Sequence, residues 1–190
     1  MIHLTINGKN VEVEEGSTIL EAARKINIDI PTLCFLKDVN EVGDCRMCLV
    51  EVERRRGLAT SCIQKVEEGM VIKTHTPEII EARQVMLDLI ISNHDKDCLT
   101  CTRAGNCELQ DLASKLNIQL IEYKGERKQH PIDNMSPTIV RDPNKCILCR
   151  RCVAVCKNIQ KAGAIDCGNR GFESNISTSY NKSLKDTNCV

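Results

Sequence analysis

The sequence predicts an α+β protein built from small units, and three observations carry that reading. Ile2, Leu4 and Ile6 alternate with other residues up to Asn7-Gly8, and Val11 and Val13 alternate beyond it, the pattern of two strands joined by a two-residue turn. Thr18 followed by Glu21 has the spacing of a capping box that opens a short helix through Ile26. Thirteen cysteines stand against two Phe, two Tyr and no Trp, so the core is aliphatic and modest and needs support beyond packing.

The remaining elements follow in order. Pro31 stops the first helix from continuing. Cys48, Val50 and Val52 alternate with Leu49, Glu51 and Glu53, predicting a strand, and Arg54-Arg55-Arg56-Gly57 turns the chain into a second one, Leu58 to Cys62. Gly69 to Thr74 closes a mixed sheet with one helix. Thr76 then caps a helix whose first residue is Pro77, with Ile79, Ile80, Val85, Met86, Leu87 and Ile90 forming an apolar face through about Asn93. A further helix, Glu108 to about Leu116, places Leu109, Leu112, Ala113 and Leu116 on one side. The polar stretch from Lys124 to Pro131 reads as a loop. A last segment begins near Ile139, with weak strand signals at Ala164–Cys167 and Ser174–Ser177. No repeat of fixed period is present.

Composition narrows the function. The 190 residues hold 26 Lys plus Arg and 26 Asp plus Glu, a formal charge of zero, which argues against non-specific nucleic-acid binding. The longest apolar runs, such as Leu89-Ile90-Ile91, fall far short of the roughly 20 residues that span a bilayer, so no transmembrane segment is expected. The N-terminus has neither the basic nor the long apolar region of a signal peptide. No G-x-G-x-x-G or Walker sequence occurs, so a nucleotide is not expected to bind within this chain.

The cysteines carry the chemistry. Thirteen is an odd number, and the tight spacing of most of them suits metal ligation from single loops better than disulfide pairing. A reducing, cytoplasmic location follows as an expectation. The first constellation is Cys34-x10-Cys45-x2-Cys48-x13-Cys62, four thiolates as a 2Fe-2S cluster requires. Gly43-Asp44 allows tight wrapping before Cys45. A tetrahedral four-cysteine zinc site is the alternative, though such sites usually use two Cys-x2-Cys pairs.

The second constellation, His94-x3-Cys98-x2-Cys101-x5-Cys107, offers one imidazole and three thiolates to a 4Fe-4S cluster, with a zinc site as the sharper competitor. Asp95 and Asp97 beside it read as solvated loop carboxylates. The third, Cys146-x2-Cys149-x2-Cys152-x3-Cys156, has the spacing of bacterial ferredoxins, in which the fourth cysteine serves a different cluster from the first three. Cys146, Cys149 and Cys152 then lack a fourth ligand, and Cys156 with Cys189 starts a second, incomplete set. The chain is therefore expected to be a fragment. Cys167 fits no ligand position.

The first motif, the segment Ser92 to Cys101 and the stretch Ile139 to Cys156, with Arg170-Gly171-Phe172 and Asn181 to Leu184, together resemble the N-terminal iron–sulfur region of multi-cluster FeFe-hydrogenases of the NAD(P)-linked or bifurcating type. The first two motifs are also similar to the large peripheral subunit of respiratory NADH dehydrogenase. The resemblance implies a β-grasp 2Fe-2S domain (1–76), a small helical 4Fe-4S domain with the histidine ligand (77–120), a linker (121–138) and an incomplete ferredoxin-type domain (139–190). It implies an electron-transfer module with no catalytic residues of its own. Its partners would be a flavoprotein NAD(P)-binding subunit or a ferredoxin, and a catalytic domain downstream. Alternatives are the matching region of NADH dehydrogenase or of an NAD-linked formate dehydrogenase and, in a different class, a structural zinc protein. Lys157 departs from the proline usual after the fourth cysteine of a ferredoxin run.

Overall fold

A computed structural model describes residues 1–126 and 129–189. Arg127 and Lys128 of the polar loop, and Val190, lie outside the described residues. The chain divides into two compact units, one of residues 1–35, 41–87 and 108–119, the other of residues 36–40, 88–107 and 120 onward.

The first unit is built on a five-stranded mixed sheet. Strands β1 (Ile2–Ile6) and β2 (Lys9–Val13) form the expected hairpin, with Asn7 (φ 50°) and Gly8 (φ 78°) both left-handed as its two-residue turn requires. Helix α1 (Ile19–Lys25) starts at Thr18, whose side chain accepts from Glu21 N–H while the Glu21 carboxylate accepts from Thr18 N–H, completing the capping box. Strands β3 (Leu49–Val52), β4 (Leu58–Thr60) and β5 (Val71–Lys73) complete the sheet in the order β2-β1-β5-β3-β4. β1 and β5 pair in parallel, and the other neighbours are antiparallel.

Ile19, Leu20, Ala22 and Ala23 of α1 join Leu4, Ile6, Val11, Val50 and Ile72 in one core. Cys48 and Cys62 belong to the same cluster, so two thiols are packed as core residues. Helix α2 (Pro77–Ser92) begins as the Thr76-Pro77 pair predicts, Thr76 Oγ1 accepting from Ile79 N–H at 3.4 Å. Of the apolar face expected, Ile79 and Leu87 are buried and Ile80, Val85, Met86 and Ile90 half-buried, and the charged Arg83 is buried between Ile79 and Leu87 at the i+4 position. Helix α3 (Glu108–Lys115) buries Leu109 and Leu112, and Gln84 Nε2 donates to Leu116 O at 2.8 Å.

The second unit is held by loops more than by regular elements. A short helix α4 (Arg151–Ala154) continues into a π-turn over Val155–Ile159, and β6 (Asp166–Gly168) pairs with β7 (Asn175–Ser177) close to the weak strand signals. Asp133, inside the stretch expected as a linker, is a structural junction. Its carboxylate accepts from Leu184 N–H (2.9 Å) and Ser183 Oγ (2.7 Å), and its backbone exchanges two hydrogen bonds with Arg141. Arg141 in turn donates to Ile176 O at 2.7 Å, tying the hairpin to the same point.

Candidate metal centres

The antiparallel register of β3 and β4 sets the first centre. Leu49 faces Thr60, so Cys48, just before β3, and Cys62, just after β4, meet at the same end of the pair. Their sulfurs are 3.3 Å apart, and Ser61 N–H donates to Cys48 O. Opposite them in sequence, Cys34 N–H donates to Cys45 Sγ at 3.4 Å. The turn to Cys45 uses Gly43 at φ 68° and Arg46 at φ 57°. A Cβ on Gly43 would stand 3.1 Å from both Ile63 Cδ1 and Thr60 Cγ2, so a side chain there would crowd both in addition to straining the left-handed φ.

Four thiols thus come together as two pairs, Cys34 with Cys45 and Cys48 with Cys62, and Cys34, Cys48 and Cys62 are each 1% exposed. In each pair one sulfur carries charge readily because its neighbour donates to it. Hydrogen bonding from Cys34 holds the Cys45 thiol down at about 5, helped by the Met47 and Leu33 N–H groups. Hydrogen bonding from Cys62 holds Cys48 down at about 7, and the Cys34 and Cys62 thiols are pushed up in return, by the neighbouring sulfur and then by burial. Thiolates are the ligating form, so a thiolate-binding group fits this donor set.

The second group lies on the loop after α2. His94 N–H closes the helix end on Ile91 O (3.0 Å), Cys98 N–H donates to Lys96 O, Cys101 N–H to Cys98 O, and Arg103 N–H points at Cys101 Sγ at 3.4 Å. Sequence reasoning missed the backing of this loop. Gly125 passes so close that a Cβ would stand 2.8 Å from Ser92 O, and buried Asp88 accepts from Glu122 N–H at 2.9 Å. Asp95, expected as a solvated carboxylate, is instead ion-paired with Lys145 at 2.6 Å.

The third group wraps through two left-handed residues, Leu148 (φ 56°) and Arg150 (φ 60°), which turn the backbone back toward its own sulfurs. Leu148 N–H donates to Cys146 Sγ at 3.3 Å and Ala164 N–H to Cys156 Sγ at 3.2 Å. Burial raises the Cys146 and Cys152 thiols, and each feels the charge of Cys149. Cys146, Cys152, Cys156 and Cys189 line one apolar cavity of about 600 Å3. Cys149 is fixed from behind, where buried Asn40 donates to its carbonyl at 3.0 Å. Cys167 lies on β6, half-buried, with Arg150 Nη2 3.9 Å from its sulfur. Among the described residues no three His, Cys, Asp or Glu side chains are gathered closely enough to hold a single ion.

Residues 1–77 match a 2Fe-2S iron–sulfur cluster binding domain, residues 83–121 the NADH-ubiquinone oxidoreductase-G iron–sulfur binding region, and residues 136–189 the ferredoxin-like domain of NADH-quinone oxidoreductase subunit 3. These three matches make the chain similar, along most of its length, to the iron–sulfur region of G-type NADH-quinone oxidoreductase proteins. The chain carries 2Fe-2S and 4Fe-4S cluster-binding domains. All of it aligns with the HndD polypeptide of the NADP-reducing hydrogenase of Solidesulfovibrio fructosivorans at 44% identity, covering 33% of that protein. It also aligns at 38% with a G-type NADH-quinone oxidoreductase protein of Rhizobium meliloti, covering 23% of it. Among solved structures, a chain of an NAD+-reducing [NiFe]-hydrogenase in the H2-reduced state matches all of this chain at 27% identity and TM-score 0.91, over 80% of that chain. The region spans a third or less of the length of the Solidesulfovibrio and Rhizobium relatives. No helix among the described residues is long and apolar enough to cross a membrane.

Proposed function

We propose that this region is a single-electron relay, with Cys34, Cys45, Cys48 and Cys62 holding a 2Fe-2S cluster inside a β-grasp domain. The observation that carries this is the gathering of four thiols, three of them almost fully buried, as two pairs, which suits two iron ions with two thiolates each. When bound, such a cluster accepts and releases one electron at a time. The protein's part is to exclude water, which the near-complete burial of three of the sulfurs supports, and to present N–H groups to sulfur.

In the same reading His94, Cys98, Cys101 and Cys107 hold a 4Fe-4S cluster, the neutral imidazole leaving that site less negative than a fourth thiolate would. Cys146, Cys149 and Cys152 serve a second cubane, and Cys156 and Cys189 a third. The cavity shared by Cys146, Cys152, Cys156 and Cys189 supports cluster binding in this part of the chain, and their division between two cubanes rests on the ferredoxin spacing. Domain bounds of 1–76, 77–120 and 139–190, joined through 121–138, belong to the same proposed reading. The whole protein would be an FeFe-hydrogenase-like oxidoreductase, fed by a flavoprotein NAD(P)-binding subunit or a ferredoxin. The 44% identity to a hydrogenase polypeptide favours this over a respiratory NADH dehydrogenase or a formate dehydrogenase.

Anaerobic purification followed by iron, zinc and acid-labile sulfide analysis, with EPR of the dithionite-reduced protein, tests the proposal. Iron, sulfide and a 2Fe-2S signal are expected. Zinc without labile sulfide or signal would establish a structural zinc protein instead.

A further inference from the structure

Arg83 is 3% exposed in the buried stripe of α2, and its Nη2 donates to Leu49 O at 2.7 Å. Leu49 directly follows Cys48, its Cα about 3.8 Å away along the backbone. The Arg83 Nε is also buried and has no hydrogen-bond acceptor among the described residues. No carboxylate pairs with it there. Asp29, which feels its charge from a distance, is 85% exposed and lies 3.8 Å from Lys115.

A guanidinium stays charged in proteins, and burying it with one carbonyl acceptor and no adjacent anion is costly. Burial does lower its pKa, and the largest opposing influence is the Cys48 sulfur. The compensating negative charge therefore has to come from the sulfur side. An oxidised 2Fe-2S centre with four thiolates carries a net charge of about −2, and reduction makes it more negative.

We infer that Arg83 is the built-in counter-cation of the first cluster, a positioning residue that holds the Cys48 end of β3 and raises the cluster's reduction potential. It is not a ligand. Because reduction adds negative charge, a fixed buried cation nearby favours the reduced form, and its removal shifts the equilibrium toward oxidation. The inference rests on the reading of Cys34, Cys45, Cys48 and Cys62 as 2Fe-2S ligands.

The test compares Arg83→Gln, which keeps an amide donor for Leu49 O, with Arg83→Lys, which keeps the charge, by EPR-monitored redox titration of the reconstituted chain. Arg83→Gln should keep the 2Fe-2S signal while its reduction equilibrium shifts at least tenfold toward oxidation, about 59 mV for one electron. Arg83→Lys should recover most of that shift. A loaded Arg83→Gln protein with unchanged potential would overturn the inference. Unmutated protein that forms no 2Fe-2S signal would instead sink the cluster reading. Should both variants fail to fold, arginine-labelled unmutated protein decides the matter by NMR. The Arg83 Nε resonance should broaden strongly on cluster loading, and a sharp, unmoved resonance would overturn the proximity.

Discussion

Lys145 Nζ lies 2.6 Å from Asp95 Oδ2, joining the residue before Cys146 to the residue after His94. Both side chains are 26% exposed, and Lys145 reaches Asp97 O as well, at 3.5 Å. Two cysteine loops about fifty positions apart are thereby fixed to each other within one unit. A double-mutant cycle of Asp95→Asn and Lys145→Met should give a coupling energy of about 1 kcal/mol in urea unfolding. The coupling should shrink at 1 M salt, where the screening length falls to about 3 Å.

His94→Ala should cost the chain the iron and sulfide of its second cluster and spare the 2Fe-2S signal. His94→Cys should keep both clusters and lower the potential of the second, since a thiolate adds negative charge where the imidazole has none. Iron analysis with EPR checks both variants, and loss of both signals in a folded His94→Ala protein would contradict the ligand assignment.

Gly43 combines a left-handed backbone with crowding by Ile63 and Thr60, whereas Gly57 has φ 76° and open space around it. Gly57→Ala should therefore cost about 1–2 kcal/mol from backbone strain alone. Gly43→Ala should cost more and should also lower cluster loading, because it displaces the approach to Cys45. Thermal unfolding and the fraction reconstituted measure the two effects.

Asp133 is held below the ordinary carboxylate range, first by Leu184 N–H, then by the Ser183 hydroxyl, with Arg141 adding attraction. A depressed folded pKa means that the stabilisation is fully present above the unfolded value of about 3.9 and is lost as pH falls through the lower folded value. The second unit should loosen below about pH 4, and Asp133→Asn should remove that part of the acid dependence. Circular dichroism between pH 2 and 6, comparing the two proteins, tests it.

Most regular elements were legible because local rules decided them. The Asn7-Gly8 turn, the Thr18/Glu21 box and the Thr76-Pro77 start each occupy the position the sequence marks, and helix ends differ by only about a residue. The ligand candidates were legible for the same reason, since short-range spacing is what a loop-borne site encodes. What surrounds them was not. Asn40 behind Cys149, Asp133 on Leu184 and Gly125 against Ser92 act across 33 to 109 positions, beyond any local pattern. Arg83 did leave a trace, as a charge midway between Ile79 and Leu87 on one helical stripe, yet a helix surface tolerates such residues often enough to hide it.

The 3.3 Å approach of Cys48 and Cys62 also bears on how the protein must be made. Two thiols that close, one of them easily ionised, are one oxidation away from a disulfide. On the proposed reading, iron and sulfide must therefore reach β3 and β4 before an oxidant does. A chain folded first in air would be closed at that corner, and a reductant would have to reopen it before metal could enter.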